Sequence, residues 1–545
     1  MEKACSKGKE GGRSLVLGVL LLSVANLLVK VFGFLYKVPL NRVLGDEMAN
    51  VNAAYAVYTL LYMISTAGIP VAVSVLISEA RARGQGSVMR ILRVSLLTLA
   101  AVGAAGTAAL VALAGPISRA NSGGDSYLCL LGIAPALFFV CLSSVLRGYF
   151  QGLGNLRPTA VSGVIEAFGK MALGLLFVRL VLTLPSGDTH LAAGYSVFGI
   201  TVGIALGTLY LFIEYAIACR RSSFALPLAG EEGSGRAILW RLIKVAVPIA
   251  LGSAVMSLSS LVDSQLMRPL LAAHYGDQEL AKAVFSDYST GAVTLFNMPA
   301  ILIYPITAAI VPYITAARTE GRLADATVAV ASALRTAALV SLPAAFGMSA
   351  LAGPILSFVF VGDGDMATHA GAPLSILALS IFPLAMLAVT NAVLQAYGRS
   401  GRPVLSMLFG VLIKILSLCL LTGSLGALAA PLGTLLFYLG ALLLNAYFIW
   451  KDTPLRLELF SLLAAPAAGG ALSAIIAFLL HTVAAPLPGA LALLLAIGAA
   501  VLVYIPTVLL LGGIRPEDFL LIPKGDRLLR LLKKYKLIRK KELPK

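Results

Sequence analysis

"ALAGPIS" at residues 112–118 returns as "ALAGPIL" at 350–356, 238 positions later. In a chain rich in Ala and Leu a single echo means little, so the reading turns on whether others follow in order. They do. "PLNRVLGDE" (39–47) matches "PLLAAHYGDQE" (269–279), and "SEARARG" (78–84) matches "ITAARTEG" (314–321). "QGLGNLRP" (151–158) matches "QAYGRSGRP" (395–403), with Lys170 and Lys414 following at the same offset. The offsets grow from 231 to 244 along the chain, as small loop insertions produce. The chain reads as a duplicated unit.

Composition says what the unit is made of. The sequence is 59% hydrophobic and 12% charged, about half the charge of an ordinary soluble domain. Apolar runs of about 20 residues, the length that crosses a bilayer as helix, recur fourteen times, and no run alternates with the period of a barrel strand. The expected fold is therefore an all-α integral membrane protein with 14 transmembrane helices. Two parallel-repeat six-helix lobes are followed by two C-terminal helices.

The basic residues give the topology. Lys and Arg resist translocation and collect on cytoplasmic segments. With the N-terminus inside, thirty of the 42 fall on inner segments and three, Arg42, Arg119 and Lys282, on outer ones. The expected organisation is a cytoplasmic tail (1–13), a six-helix lobe (14–219), a cytoplasmic linker (220–239) and a second lobe (240–450). Two further transmembrane helices (451–512) and a basic cytoplasmic tail (513–545) complete it. The N-terminal apolar run continues past its signal-peptide-like Ser-Val-Ala and has a repeat partner, so it is expected to stay.

An even number of helices per copy gives both copies one orientation, an architecture suited to alternating access around a central site. Charges within the spans mark that site, because a charge at mid-bilayer is costly and tends to serve a function. Lys30 and Lys37 lie seven residues apart on one face of the first helix. Arg268 and Asp263 lie in its repeat counterpart. The plainer reading of Lys37 and Arg268 is that they snorkel from helix ends. Asp263 either balances Arg268 or binds a coupling cation, Na+ or H+. Glu166 and Lys170, one turn apart, read as a local ion pair. Lys414 is either a cavity residue or paired across helices. The charges sum to a positive cavity, which calls for an anionic substrate. Prolines 70, 248, 269, 299, 305 and 312 are expected to interrupt helices 2, 7 and 8 as hinges.

Other signals point away from catalysis. "GDGD" at 362–365 reads as a solvated outer turn, and the chain holds no phosphate-binding Gly-Lys-Ser/Thr loop. His190, His274, His369 and His481 stand apart without metal-ligand spacing, and five scattered cysteines make no disulfide framework. No cofactor is expected. The net charge of +17 is mostly topological, and the Lys- and Arg-rich tail suits the anionic inner leaflet rather than nucleic acid.

Four stretches carry a resemblance. "VKVFGFLYKVPLNRVLG" (29–45) and "MISTAGIPVAVSVLISEA" (63–80) resemble the polysaccharide-transporter branch of the superfamily that also contains multidrug and toxin extrusion proteins. "LVDSQLMRPLL" (261–271) and "MPAILIYPITAAIVP" (298–312) look like the stage V sporulation protein B group and its lipid II flippase relatives. Val75 stands where many relatives carry a basic residue. The resemblance implies a monomeric flippase of the bacterial plasma membrane with both termini cytoplasmic. It would move an undecaprenyl-pyrophosphate-linked sugar outward for cell-wall, spore or polysaccharide assembly, with Lys30, Lys37 and Arg268 holding the pyrophosphate. A cation-coupled multidrug exporter of the same fold is the alternative, and would need an acidic cavity.

Overall fold

The computed structural model describes residues 24–26, 28–82, 88–122, 125–184, 187–221, 235–299, 314, 323–360, 364–399, 401–455, 459–484 and 486–514. Every described element is a helix or a turn. In chain order these are α1 (28–44), α2 (Met48–Ala82), α3 (Val88–Ser122), α4 (Tyr127–Ile133), α5 (Ala136–Gly152), α6 (Arg157–Leu182) and α7 (Thr189–Arg221). Next come α8 (Gly235–Tyr275), α9 (Gln278–Asp287), a π-helical turn (Tyr288–Ala292), α10 (Val293–Phe296), α11 (Leu323–Ala350) and α12 (Ala352–Val359). The last are α13 (Gly364–Leu379), α14 (Ile381–Ala396), α15 (Gly401–Leu425), α16 (Ala429–Asp452), α17 (Leu459–Val483) and α18 (Gly489–Leu510).

Among the described residues nine helical stretches are long and apolar enough to cross a membrane. Two of them, Val24–Ser78 and Gly401–Asp452, run for 55 and 52 residues, and each holds a short 3-10 turn, Gly45–Glu47 and Gly426–Leu428. α6 and α8 are helical across their expected spans but are not among the nine; they carry Glu166, Lys170, Asp263 and Arg268. The chain is an all-helical, multi-pass membrane protein. Leu420 and Leu502, 74% and 75% exposed, lie on helical stretches of bilayer-crossing length.

Helix ends explain the repeated letters. α5 stops at Gly154, whose φ of +80° places it in the left-handed region. Its amide donates to the Gln151 carbonyl, and that of Asn155 donates to Phe150, each at 2.9 Å. α14 stops at Gly398, φ +73°, with Gly398 on Gln395 and Arg399 on Leu394, again at 2.9 Å. These are the paired bonds of a glycine C-cap. Gly45 and Gly276 form a second positive-φ pair, and Gly187 and Gly426 a third that no letter match had shown. The third pair is 239 residues apart, so the offset falls again after its maximum. The opening heptapeptides behave differently: α3 runs straight through Pro116, whereas Leu351 breaks the helix and puts Pro354 in the first turn of α12, where its missing N–H costs nothing.

Two compact units are present, Met1–Pro269 and Leu270–Lys545. The division falls inside α8, not in the expected linker 220–239. The cause is local: Leu242 and Ala246 near the start of α8 are buried in one core with Ile69, Val73, Leu92, Val145 and Leu211. The other core of unit 1 joins Tyr36, Leu40 and Met48 to Ile133, Val178 and Ile200. In unit 2, Leu334, Met386, Val393 and Phe448 share a core.

Candidate functional site

Small residues bring the site's helices together. Gly199, Gly203 and Gly207 recur every fourth residue on α7 and face α6, where a Cβ at 203 would lie 2.5 Å from the Lys170 nitrogen and 2.8 Å from the Glu166 carbonyl. On α5, a Cβ at Gly148 would lie 2.7 Å from the Pro70 carbonyl, and one at Gly152 2.9 Å from the Ser74 carbonyl. Within lipid, where helices gain little from apolar burial, such stripes let backbones touch. They fix the polar side chains of α2, α5 and α6 against one another.

Those side chains form a cationic cluster inside unit 1. The Lys170 ammonium stands 4.4 Å from the centre of the Tyr55 ring and 5.3 Å from that of Tyr36, and donates to the Tyr55 hydroxyl at 3.3 Å. Tyr36 is held in place by donating to the Ser196 carbonyl at 3.1 Å. Tyr55, Tyr58 and Tyr62 make a ladder along α2 with ring centres 5.8 and 5.5 Å apart. Lys37, half-buried on α1, is close enough to Lys170 for the two charges to repel, and the exposed Lys30 acts on the Tyr55 hydroxyl.

The carboxylate beside these lysines is already taken. Arg147 on α5 pairs with Glu166 at 2.7 Å and donates from Nε to the Ser162 hydroxyl at 3.2 Å. The expected Glu166–Lys170 pair is therefore replaced: Glu166 turns to α5, and Lys170 turns to the tyrosines. With Arg147 and Glu166 paired to each other, Lys30, Lys37 and Lys170 are the remaining basic side chains of the cluster.

Arg268 is placed elsewhere. It is 8% exposed and donates to the Asn50 side chain at 3.2 Å. Asn50 donates to Glu47 at 2.7 Å, and His190 meets the same Glu47 oxygen at 3.2 Å. Asn50 lies five residues before Tyr55, about 8 Å along α2. Asp263 sits about 140° around α8 from Arg268, and the partner seen for Arg268 is Asn50. In unit 2, Lys414 is 1% exposed, its stem 3.5 Å from where a Cβ at Gly433 would be.

Pro70, Pro248 and Pro269 do not break their helices. α2 is continuous through Pro70, clamped against Gly148, and α8 through Pro248 and Pro269, because one lost backbone bond is tolerated where neighbouring helices hold the segment. Pro299 lies in the turn after α10, and Pro305 and Pro312 lie outside the described residues. So do the tails 1–13 and 515–545. Asp365 falls in the first turn of α13 rather than in a free loop.

Sequence reading missed Arg147, Tyr36, Asn50 and the tyrosine ladder. The ladder alone left a signal, since Tyr55, Tyr58 and Tyr62 follow helical spacing. His190 and His369, read as isolated, are paired with Glu47 and Asp287.

Residues 15–317 match the family described as Polysaccharide biosynthesis protein, and residues 248–420 match MatE. The chain is 25% identical to Stage V sporulation protein B of Bacillus subtilis (strain 168) over 454 residues, covering 81% of this chain and 85% of that protein. It is 24% identical over 450 residues to Lipid II flippase MurJ of the same organism, covering 79% and 81%. A solved structure of lipid II flippase MurJ in an inward closed conformation has the same fold, with a TM-score of 0.67 at 14% identity, over 90% of this chain and 98% of that one. Its relatives are transporters and flippases, not enzymes. With more than half its length matched, the chain belongs to the polysaccharide biosynthesis protein family of membrane transporters.

Proposed function

We propose that this chain is a flippase that carries an undecaprenyl-pyrophosphate-linked sugar from the inner to the outer leaflet, with Lys30, Lys37 and Lys170 holding the pyrophosphate. The observation that carries the reading is the charge balance of unit 1. Lys170 and Lys30 act on Tyr55 and Lys37 lies near Lys170, while the neighbouring Glu166 is neutralised by Arg147 at 2.7 Å. A pyrophosphate brings several negative charges and strong acceptor oxygens, and each charge-assisted hydrogen bond to it contributes roughly 1.5–3 kcal/mol. An exporter of cationic drugs needs the opposite, a carboxylate not already held by an arginine. Arg268, tied to Asn50, is assigned to the outer end of the same path.

The test is binding of undecaprenyl pyrophosphate and of neutral undecaprenol to the purified full-length protein in nanodiscs. The pyrophosphate should bind at least about tenfold more tightly, and a Lys37→Ala, Lys170→Ala double variant should erase the difference. Equal affinity for the two lipids would overturn the proposal. Depletion in the host should then accumulate the lipid-linked precursor on the inner leaflet, and its sugar identifies the cargo.

A further inference from the structure

Unit 2 contains a pair of titratable groups that the cationic cluster does not use. The His369 Nδ1 on α13 lies 2.7 Å from the Asp287 carboxylate at the end of α9, with the side chains 23% and 10% exposed. A carboxylate only accepts, so Nδ1 carries the hydrogen of this bond and Nε2 is the nitrogen that gains or loses a proton. Protonated, the pair is neutral. Deprotonated, the imidazole is neutral and the hydrogen bond to the carboxylate loses part of its charge assistance.

The backbone next to Asp287 is unusual. Tyr288–Ala292 is a π-helical turn, a local widening that recurs at functional sites. Gly291 in this turn faces α13 and α12: a Cβ there would lie 2.5 Å from the Met366 sulfur and 3.0 Å from Leu356. Met366 and His369 are three residues apart and share a face of α13. One face of α13 thus carries both the bond to Asp287 and the contact with the π-turn. Counting 1.5 Å per residue, Asp287 lies about 14 Å from the Gly276 turn, and His369 about 8 Å from the start of α13.

We propose that His369 and Asp287 form a proton-binding site in unit 2, and that the bound proton holds α13 against the π-turn. Histidine is the side chain type whose charge ordinarily changes within the physiological pH range, so the contact is one on which pH can act. The other titratable or charged groups on the elements packed around the pair are few. They are Glu279 and Lys282 on α9, Tyr288 in the π-turn, Asp365 one turn back on α13, Arg335 on α11 and Tyr438 on α16. Among the described residues α10, α12 and α14 carry none, and Asp325 on α11 and Tyr447, Lys451 and Asp452 on α16 lie toward the ends of those helices. The site stands apart from the lipid reading and is tested without any lipid substrate.

The experiment is hydrogen–deuterium exchange mass spectrometry on the full-length protein in nanodiscs at pH 6 and pH 8, corrected for intrinsic exchange. Peptides covering 285–296 and 364–372 should exchange about fivefold faster at pH 8, while α6 and α7 stay unchanged. In His369→Gln this pH dependence should vanish, and in Asp287→Asn it should fall at least threefold. Retention of the wild-type dependence in His369→Gln, or its absence in the wild type, overturns the proposal. Should neither variant fold, the exchange of the imidazole C2 hydrogen in the wild type decides: His369 must change protonation between pH 5 and pH 9. A His369 that stays in one form throughout sinks the idea.

Discussion

The Lys170 ammonium rests 4.4 Å from the centre of the Tyr55 ring while donating to that residue's hydroxyl at 3.3 Å. Tyr36 closes the other side at 5.3 Å. A cation held over aromatic faces gains about 0.5–2 kcal/mol, more as water is removed. Such a cage holds a half-buried lysine in position without a carboxylate of its own.

The ring and the hydroxyl contribute differently. Lys170→Met, which keeps the stem and removes the charge, should weaken undecaprenyl pyrophosphate binding about 10- to 150-fold, the worth of one charge-assisted phosphate contact. Tyr55→Phe keeps the ring and should cost less than about fivefold. Equal losses in the two variants, measured by titration in nanodiscs, would show that the hydroxyl rather than the lysine meets the ligand.

The Arg147–Glu166 pair invites a double-mutant cycle. Arg147→Ala leaves a carboxylate largely out of water and should destabilise the protein by roughly 3 kcal/mol, toward the lower end for a pair that is still partly solvated. Removing both charges, as Arg147→Met with Glu166→Leu, should restore much of the melting temperature. If the double variant melts below Arg147→Ala, the pair is not the stabilising contact described.

Packing of α6 on α7 sets where Lys170 stands. Gly203→Leu places atoms against the Lys170 backbone, at 2.5 Å already for the Cβ, and should prevent stable accumulation in the membrane. Gly163→Ala, whose nearest neighbour would be a Val29 methyl at 3.9 Å, should accumulate and bind as the parent does. Fluorescence size-exclusion chromatography of tagged protein separates the two.

Arg268 is anchored through Asn50 to Glu47. Its removal leaves a buried acceptor on Asn50, a loss of about 1–3 kcal/mol in stability. Arg268→Ala should therefore lower the melting temperature clearly and reduce pyrophosphate affinity less than Lys37→Ala does. The reverse order would move Arg268 into direct contact with the lipid headgroup.

Much of this protein was legible in its letters. Apolar runs of bilayer length need a helix, since lipid offers backbone groups no other partner, and nine described helical stretches are long and apolar enough to cross a membrane. The turn glycines were legible as well: Gly45, Gly154, Gly276 and Gly398 sit in matched words, and each adopts the left-handed backbone that a side chain disfavours. Lys30, Lys37 and Arg268 stood out because charge inside an apolar run is costly, whereas Lys170 read only as the partner of Glu166.

Partnership was decided only by tertiary structure. Helical spacing put Glu166 beside Lys170, yet an arginine 19 residues away takes the carboxylate, since close contact between α2 and α5 at Pro70 and Gly148 carries Arg147 inward. The words "ALAGPIS" and "ALAGPIL" are nearly identical, but one lies in an unbroken helix and the other across a break at Leu351. His190 and His369 acquire carboxylates from distant helices in the same way. A sequence states the cost of leaving a charge or a turn in lipid, and that cost is local. Which group meets it depends on which backbones approach, and in this chain small residues on facing helices decide that.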